Sequence, residues 1–272
     1  MLILQWRKLL SSLVCSVLCI AFPATSFAEI VALKLPSLSG KRHLYFVGLL
    51  DAVLLNAGHT PKISVSEELP QNRAWYEVER GSLSLYWGLP TSERDSKFIP
   101  IGHGITGGMI GQRLILTRPA NLPAFASIST LDDLRASGKV AGLGEGWVDV
   151  AIWNKSRLPI YVQAGDWTQM FRMVADGRFK LDYLSRSVLE ITEEVNQGKL
   201  GLVIEPNLLL SYDLDMHFYL SRHSAHLQAV LEQAFAQAES SGLIKKFSQN
   251  YYKNLIVSLG LNDRRKLQLP LP

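Results

Sequence analysis

The stretch from Thr130 to Ile204 constrains the fold more than any other, because strand-like and helix-like segments alternate along it. Thr130–Ala136 reads as a short helix, with Ser129 or Thr130 as its cap and Asp132 and Asp133 in its first turn. Lys139–Gly142 reads as a strand, Trp147–Asn154 as a helix and Pro159–Gln163 as a strand. Trp167–Ala175 is a helix ended by Gly177, Phe179–Leu184 a strand, Val188–Asn196 a helix ended by Gly198, and Leu200–Ile204 a strand. This α/β alternation predicts a mostly parallel sheet with helices on both faces.

The flanking segments predict a second unit of the same class. Ile30–Leu35, Lys62–Ser66, Ser82–Trp87, Arg113–Arg118 and Met216–Ser221 read as strands. Lys41–Asn56 places Leu44, Val47, Leu50 and Leu54 on one helical face and stops at Gly58. Arg73–Arg80 is a shorter helix, and Ala225–Tyr252 a long amphipathic one with a break expected at Gly242. Pro119–Ser129 reads as a linker. The expectation is two lobes, residues 29–118 with 216–272 and residues 119–215. The strands at 113–118 and 216–221 would cross between them.

Residues 1–28 read as an export signal. Arg7 and Lys8 precede an apolar run from Leu9 to Phe22, Pro23 breaks it, and Ser26-Phe27-Ala28 fits a cleavage site. A single membrane anchor is the competing reading. Neither Cys15 nor Cys19 follows a small residue, as a lipoprotein site would require. Cleavage would remove both cysteines, two basic residues and no acid, taking the net charge from +4 to +2. So balanced a chain gives no argument for nucleic acid or an anionic membrane surface. It would need a packed core in place of disulfides.

Catalytic signatures are missing from the sequence. There is no G-x-S-x-G elbow and no H-E-x-x-H pair. Among the histidines only His223 and His226 have helical spacing, and they fit a solvated helix start better than a metal site. Gly102, Gly104 and Gly107 spell G-x-G-x-x-G, but no strand–helix context surrounds them, so a loop near the hinge is the better reading. Gly142, Gly144 and Gly146 lie between a strand and a helix start. That turn either presents amides to an anion or is an ordinary tight turn. Trp87 and Trp147 sit at element ends, where they either stack on a ligand or join the core.

Four segments, in order, resemble the bacterial extracellular solute-binding protein family 3, the periplasmic receptors typified by polar amino acid uptake. They are Trp87–Ile101 with its Thr-x-x-Arg turn, Ile128–Trp147, Phe171–Ile191, and Ala234–Tyr252. The resemblance implies a two-lobed type II periplasmic-binding-protein fold with two mixed sheets, helices on both faces, and a small solute trapped between the lobes. No cofactor and no metal are expected, and an enzyme on the same scaffold ranks behind a receptor because no catalytic constellation is present. The expected partner is an inner-membrane ABC permease or a membrane sensor, and the expected state is a periplasmic monomer.

Carried over residue by residue, Arg94 matches the family arginine that clamps a carboxylate, with Thr91 in the same turn and Trp87 just before it. Glu145 to Val148, with Gly146 and Trp147 between them at the helix start, match the second-lobe segment that caps the ligand. The family's acid for a ligand ammonium has no counterpart among Leu184, Ser185, Arg186 and Ser187. If Arg186 faces the cleft, two arginines favour an organic acid over an amino acid. If it does not, an amino acid remains open.

Overall fold

A computed structural model describes residues 29–38, 41–198 and 200–272. The export signal expected over residues 1–28 lies outside them. The chain begins with β1 (Ile30–Ser37), α1 (His43–Asn56), β2 (Thr60–Glu68), α2 (Gln71–Glu79), β3 (Leu85–Gly88), α3 (Ser92–Lys97) and β4 (Ile99–Ile101). It continues through β5 (Gln112–Thr117), α4 (Leu122–Ala126), α5 (Leu131–Ala136), β6 (Ala141–Gly144), α6 (Val148–Lys155) and β7 (Ile160–Gln163). Next come α7 (Gln169–Asp176), β8 (Tyr183–Ser187), α8 (Ile191–Gly198), β9 (Val203–Ile204) and β10 (Leu208–Ser211). β11 (His217–Leu220), α9 (Gln228–Ser240), α10 (Leu243–Tyr251), α11 (Lys253–Ser258) and β12 (Arg265–Gln268) complete it.

The strands form two territories. In the first, β1 and β2 pair in parallel and β3-β11-β4 form an antiparallel sheet. The two ladders are joined where the Ser84 amide donates to the Lys34 carbonyl at 2.8 Å. Leu49, Val53, Leu85, Phe218, Leu231 and Phe235 belong to the single core of this territory. The second is a mixed sheet ordered β12-β10-β5-β8-β6-β7, with β9 also on β5. Its faces carry separate cores, one around Phe125, Trp153 and Tyr212 and one around Leu116, Met170 and Leu184. Helices on both faces of a mixed sheet bury its alternating apolar side chains twice over. Among the described residues no helix is long and apolar enough to cross a membrane.

The crossings differ from the expectation. Residues 112–117 do not cross between territories: β5 pairs with β8, β9 and β10 inside the second sheet. β11 likewise lies wholly between β3 and β4. The connections are the glycine-rich segment 102–111 and the short segment 212–216. They touch closely, since a Cβ on Gly111 would fall 2.3 Å from the Tyr212 carbonyl oxygen and one on Gly104 would fall 2.8 Å from Asp215 Oδ2. The C-terminal residues also return to the second sheet, where β12 pairs in parallel with β10.

Three local readings change for physical reasons. The expected linker at 119–129 contains α4, opened by proline and anchored by the fully buried Phe125. The buried stripe of α1 runs through Tyr45, Phe46, Leu49, Leu50, Val53 and Leu54, and Leu44 points outward. In a helix apolar almost all round, periodicity alone cannot choose the face. Gly242, at φ +71°, separates α9 from α10 where the break was expected.

Candidate functional site

A cavity of about 720 Å³ opens where the two territories face each other. The first contributes most of the wall, including Tyr45, Phe46, Trp87 and Arg94. Ile110 and Met216 enter from the two crossings, and Leu189 and Glu190 from the turn after β8. Trp87 is 5% exposed and stacks on Phe46 at 4.1 Å, so it is both core and wall. Burial pushes the Tyr86 hydroxyl up to about 12, with Arg42 and Arg94 pulling the other way.

Arg94 is presented as the Thr-x-x-Arg turn requires. Thr91 caps α3 from an extended conformation, its hydroxyl accepting the Arg94 amide at 3.2 Å. The guanidinium lies 5.0 Å over the Trp75 ring and donates to the Leu89 carbonyl at 2.5 Å. Among the described residues no carboxylate pairs with it. An arginine steered by a ring and a carbonyl keeps donors available for a bidentate carboxylate. Thr91 itself is exposed and acts on the cap, not on the cavity.

Arg186 is not the free cation that a two-arginine anion site needs. It is buried in β8, and Nε donates to Glu194 Oε2 at 2.7 Å while Nη2 reaches Glu194 Oε1 and, at 3.3 Å, Glu190 Oε2. Its guanidinium lies 4.7 Å from the Trp147 ring and 4.4 Å from the Trp167 ring. Two carboxylates and two indole faces already satisfy this charge.

The expected capping segment is also occupied from within. Glu145 and Gly146 are exposed in the turn after β6, and neither they nor Trp147 line the cavity. The Trp147 ring covers Gly144, where a Cβ would fall 2.5 Å from Cε2. The first turn of α6 carries its own acid, Asp149, paired with the buried Arg113 at 3.0 Å. Tyr212 closes the triangle, accepting from Arg113 Nε at 2.7 Å and donating to Asp149 Oδ1 at 3.1 Å. Burial works against the Arg113 charge, but Asp149 and Tyr212 more than offset it and push its pKa up. The positive end of α6 therefore faces an internal carboxylate.

Asp215 joins the two crossings. It accepts the Thr106 amide at 3.0 Å, the Thr106 hydroxyl, the Gly108 amide at 2.8 Å and the Met216 amide at 2.7 Å. Burial raises its pKa against those bonds. Among the described residues no group of three or more His, Cys, Asp or Glu is placed to hold a metal ion.

Sequence reasoning missed Glu190, Tyr251 and Tyr252, which all line the cavity. The signal for Glu190 was its place four residues beyond Arg186. The signal for the tyrosines was their place at the end of the last amphipathic helix.

No family model matches the chain, and no curated protein matches it. Solved structures do. The probable amino-acid ABC transporter extracellular-binding protein YtmK from Bacillus subtilis aligns with a TM-score of 0.56 at 11% identity, over 81% of this chain and 97% of its own. An amino acid ABC transporter substrate-binding protein from Streptococcus pneumoniae, bound to L-arginine, aligns with a TM-score of 0.49 at 14% identity, over 84% and 96%. The GluR0 ligand-binding core with L-glutamate aligns with a TM-score of 0.49 at 16% identity, over 81% and 97%. The likeness to the Bacillus protein establishes the fold, a two-lobed α/β binding-protein fold of type II.

Proposed function

We propose that this chain is an extracellular solute-binding receptor. It captures a small solute bearing both a carboxylate and a cationic group, and serves ABC-type uptake. The observation that carries the reading is that one cavity is lined by an arginine from one lobe and a glutamate from the other. Arg94, without an acid partner among the described residues, stands on the first lobe, and Glu190, its side chain 34% exposed, stands on the second. A zwitterion reaches both as the lobes close: its carboxylate gives Arg94 an acid partner, and its cation meets the exposed side of Glu190, whose other neighbour is Arg186 at 3.3 Å.

The paired state of Arg186 supports an amino acid over an organic acid. Its charge is taken up by Glu194, which holds Nε and Nη2 edge to edge, before any ligand arrives, while Glu190 stands farther off at 3.3 Å and is 34% exposed. Glu190 takes the part of the acid that Leu184–Ser187 does not supply. The fold shared with the Bacillus extracellular-binding protein fits closure of two lobes on a solute. The hinge would be the segments 102–111 and 212–216, tied by Asp215.

A thermal-shift screen of residues 29–272 against amino acids, their amine-free analogues and simple amines tests this. Saturating ligand at about 100 times its Kd adds roughly 2.7 kcal/mol of apparent stability. Stabilisation by amino acids, and by neither half alone, is the expected result. Stabilisation by organic acids alone would contradict it.

A further inference from the structure

The lobes are joined a third time. Tyr252, at the end of α10, packs against both the first-lobe core and one of the second-lobe cores. Leu255 and Ile256 of α11 then pack on that second-lobe core, and β12 extends the second sheet. Arg265 holds the return in place, its amide bonding to the Asn207 carbonyl at 2.7 Å and its Nη1 to the Ile128 carbonyl at 2.7 Å. This crossing runs along the cavity and places Tyr251 and Tyr252 in its wall.

The two tyrosines belong to a ring cluster. Tyr45 meets Tyr251 edge to face at 5.1 Å and Tyr252 in a tilted arrangement at 4.9 Å, and Tyr251 meets Tyr252 edge to face at 5.0 Å. Tyr251 remains 48% exposed despite these contacts, so ring surface is left for another group. The buried side chains of the cavity wall are aromatic and aliphatic, Tyr45, Phe46, Tyr86, Trp87 and Ile110, with Gly88 beside them. Besides Arg94 and Glu190, the charged and amide lining residues Lys41, Arg42, Glu68 and Gln71 are exposed and belong to the solvent side.

We propose that Tyr251 and Tyr252 form an aromatic subsite that selects solutes with an aromatic side group, so that the ligand class is the aromatic amino acids. The inference rests on the reading that Arg94 and Glu190 take the carboxylate and the ammonium. Once those two groups are placed, the remaining buried wall offers ring faces and methyl groups. Against that wall a polar side group exchanges water for ring faces and methyl groups, whereas an apolar one gains from leaving water. A flat ring gains offset or edge-to-face contacts. The cavity volume lies within the range of sites that take ligands larger than the smallest amino acids.

Calorimetry on residues 29–272 with phenylalanine, alanine and arginine tests this, using wild type, Tyr251→Ala and Tyr251→Phe. Phenylalanine binds wild type at least roughly tenfold more tightly than alanine. Tyr251→Ala weakens phenylalanine by roughly three- to tenfold, the usual worth of an aromatic contact, and leaves alanine unchanged. Tyr251→Phe keeps the wild-type affinity. If alanine or arginine binds as tightly as phenylalanine, or if Tyr251→Ala leaves phenylalanine unaffected, the aromatic subsite is refuted while the zwitterion reading stands. If none of the three binds, both fall together.

Discussion

Arg186 and Glu194 meet edge to edge in the second lobe, Nε donating to Oε2 at 2.7 Å and Nη2 to Oε1. The arginine is 7% exposed and the glutamate 16% exposed, so neither charge is well served by water. Breaking such a pair leaves one charge buried and uncompensated, which typically costs about 3–5 kcal/mol. Glu190 remains as a second partner at 3.3 Å, which puts Glu194→Gln near the lower end of that range. Chemical denaturation of Arg186→Ala, Glu194→Gln and the double variant should show a double loss smaller than the sum of the single losses. A loss below about 1 kcal/mol for Glu194→Gln would mean that the pair is a surface ornament.

The two crossings give a second prediction. Gly111→Ala drives a methyl group into the Tyr212 carbonyl, a backbone atom that cannot swing away. Overpacking of this kind costs about 1–3 kcal/mol or more. Gly102→Ala meets nothing within 4 Å and should change stability by no more than about 1 kcal/mol. Denaturant midpoints for the two variants check this, and equal losses would contradict the close approach of the crossings.

Much of the fold was legible in the residues. The strand and helix alternation from Thr130 to Ile204 reappears as α5 through β9 with shifted ends, and the break at Gly242 is present. Strand patterning does not reveal which neighbour a strand will choose. For that reason β5 was readable as a strand but not as a member of the second sheet. α11 and β12 escaped because six and four residues are too few to show a period, and Arg265–Gln268 has only Leu267 buried. At the site, the Thr91–Arg94 turn was readable because it is local. The neutralisation of Arg186 was not, because it needs the turn after β8 to bring Glu190 and Glu194 back over the strand.

His217, next to the second crossing, gives a pH prediction. Burial lowers its pKa from the ordinary 6.5, with Asp215 and Asp95 opposing the shift and His103 adding to it. The unfolded chain therefore binds more protons than the native one as pH falls through and below 6.5. Stability contributed by the neutral imidazole is full at higher pH and is lost on acidification. Thermal unfolding from pH 7.5 to 5.5 should show a smaller drop for His217→Gln than for wild type. Parallel curves would refute the assignment.

The central claim is that Arg94 and Glu190 clamp opposite ends of one solute. Calorimetry of wild type, Arg94→Ala and Glu190→Gln against an amino acid that binds and its amine-free analogue tests it most directly. Truncating one member of a desolvated charge pair costs at least about 2 kcal/mol, roughly thirtyfold in affinity. Arg94→Ala should weaken both compounds by at least that factor. Glu190→Gln should weaken the amino acid by a similar factor and leave the amine-free analogue unchanged or improved. If Glu190→Gln binds the amino acid as tightly as wild type, Glu190 does not receive the cation and the zwitterion reading is wrong.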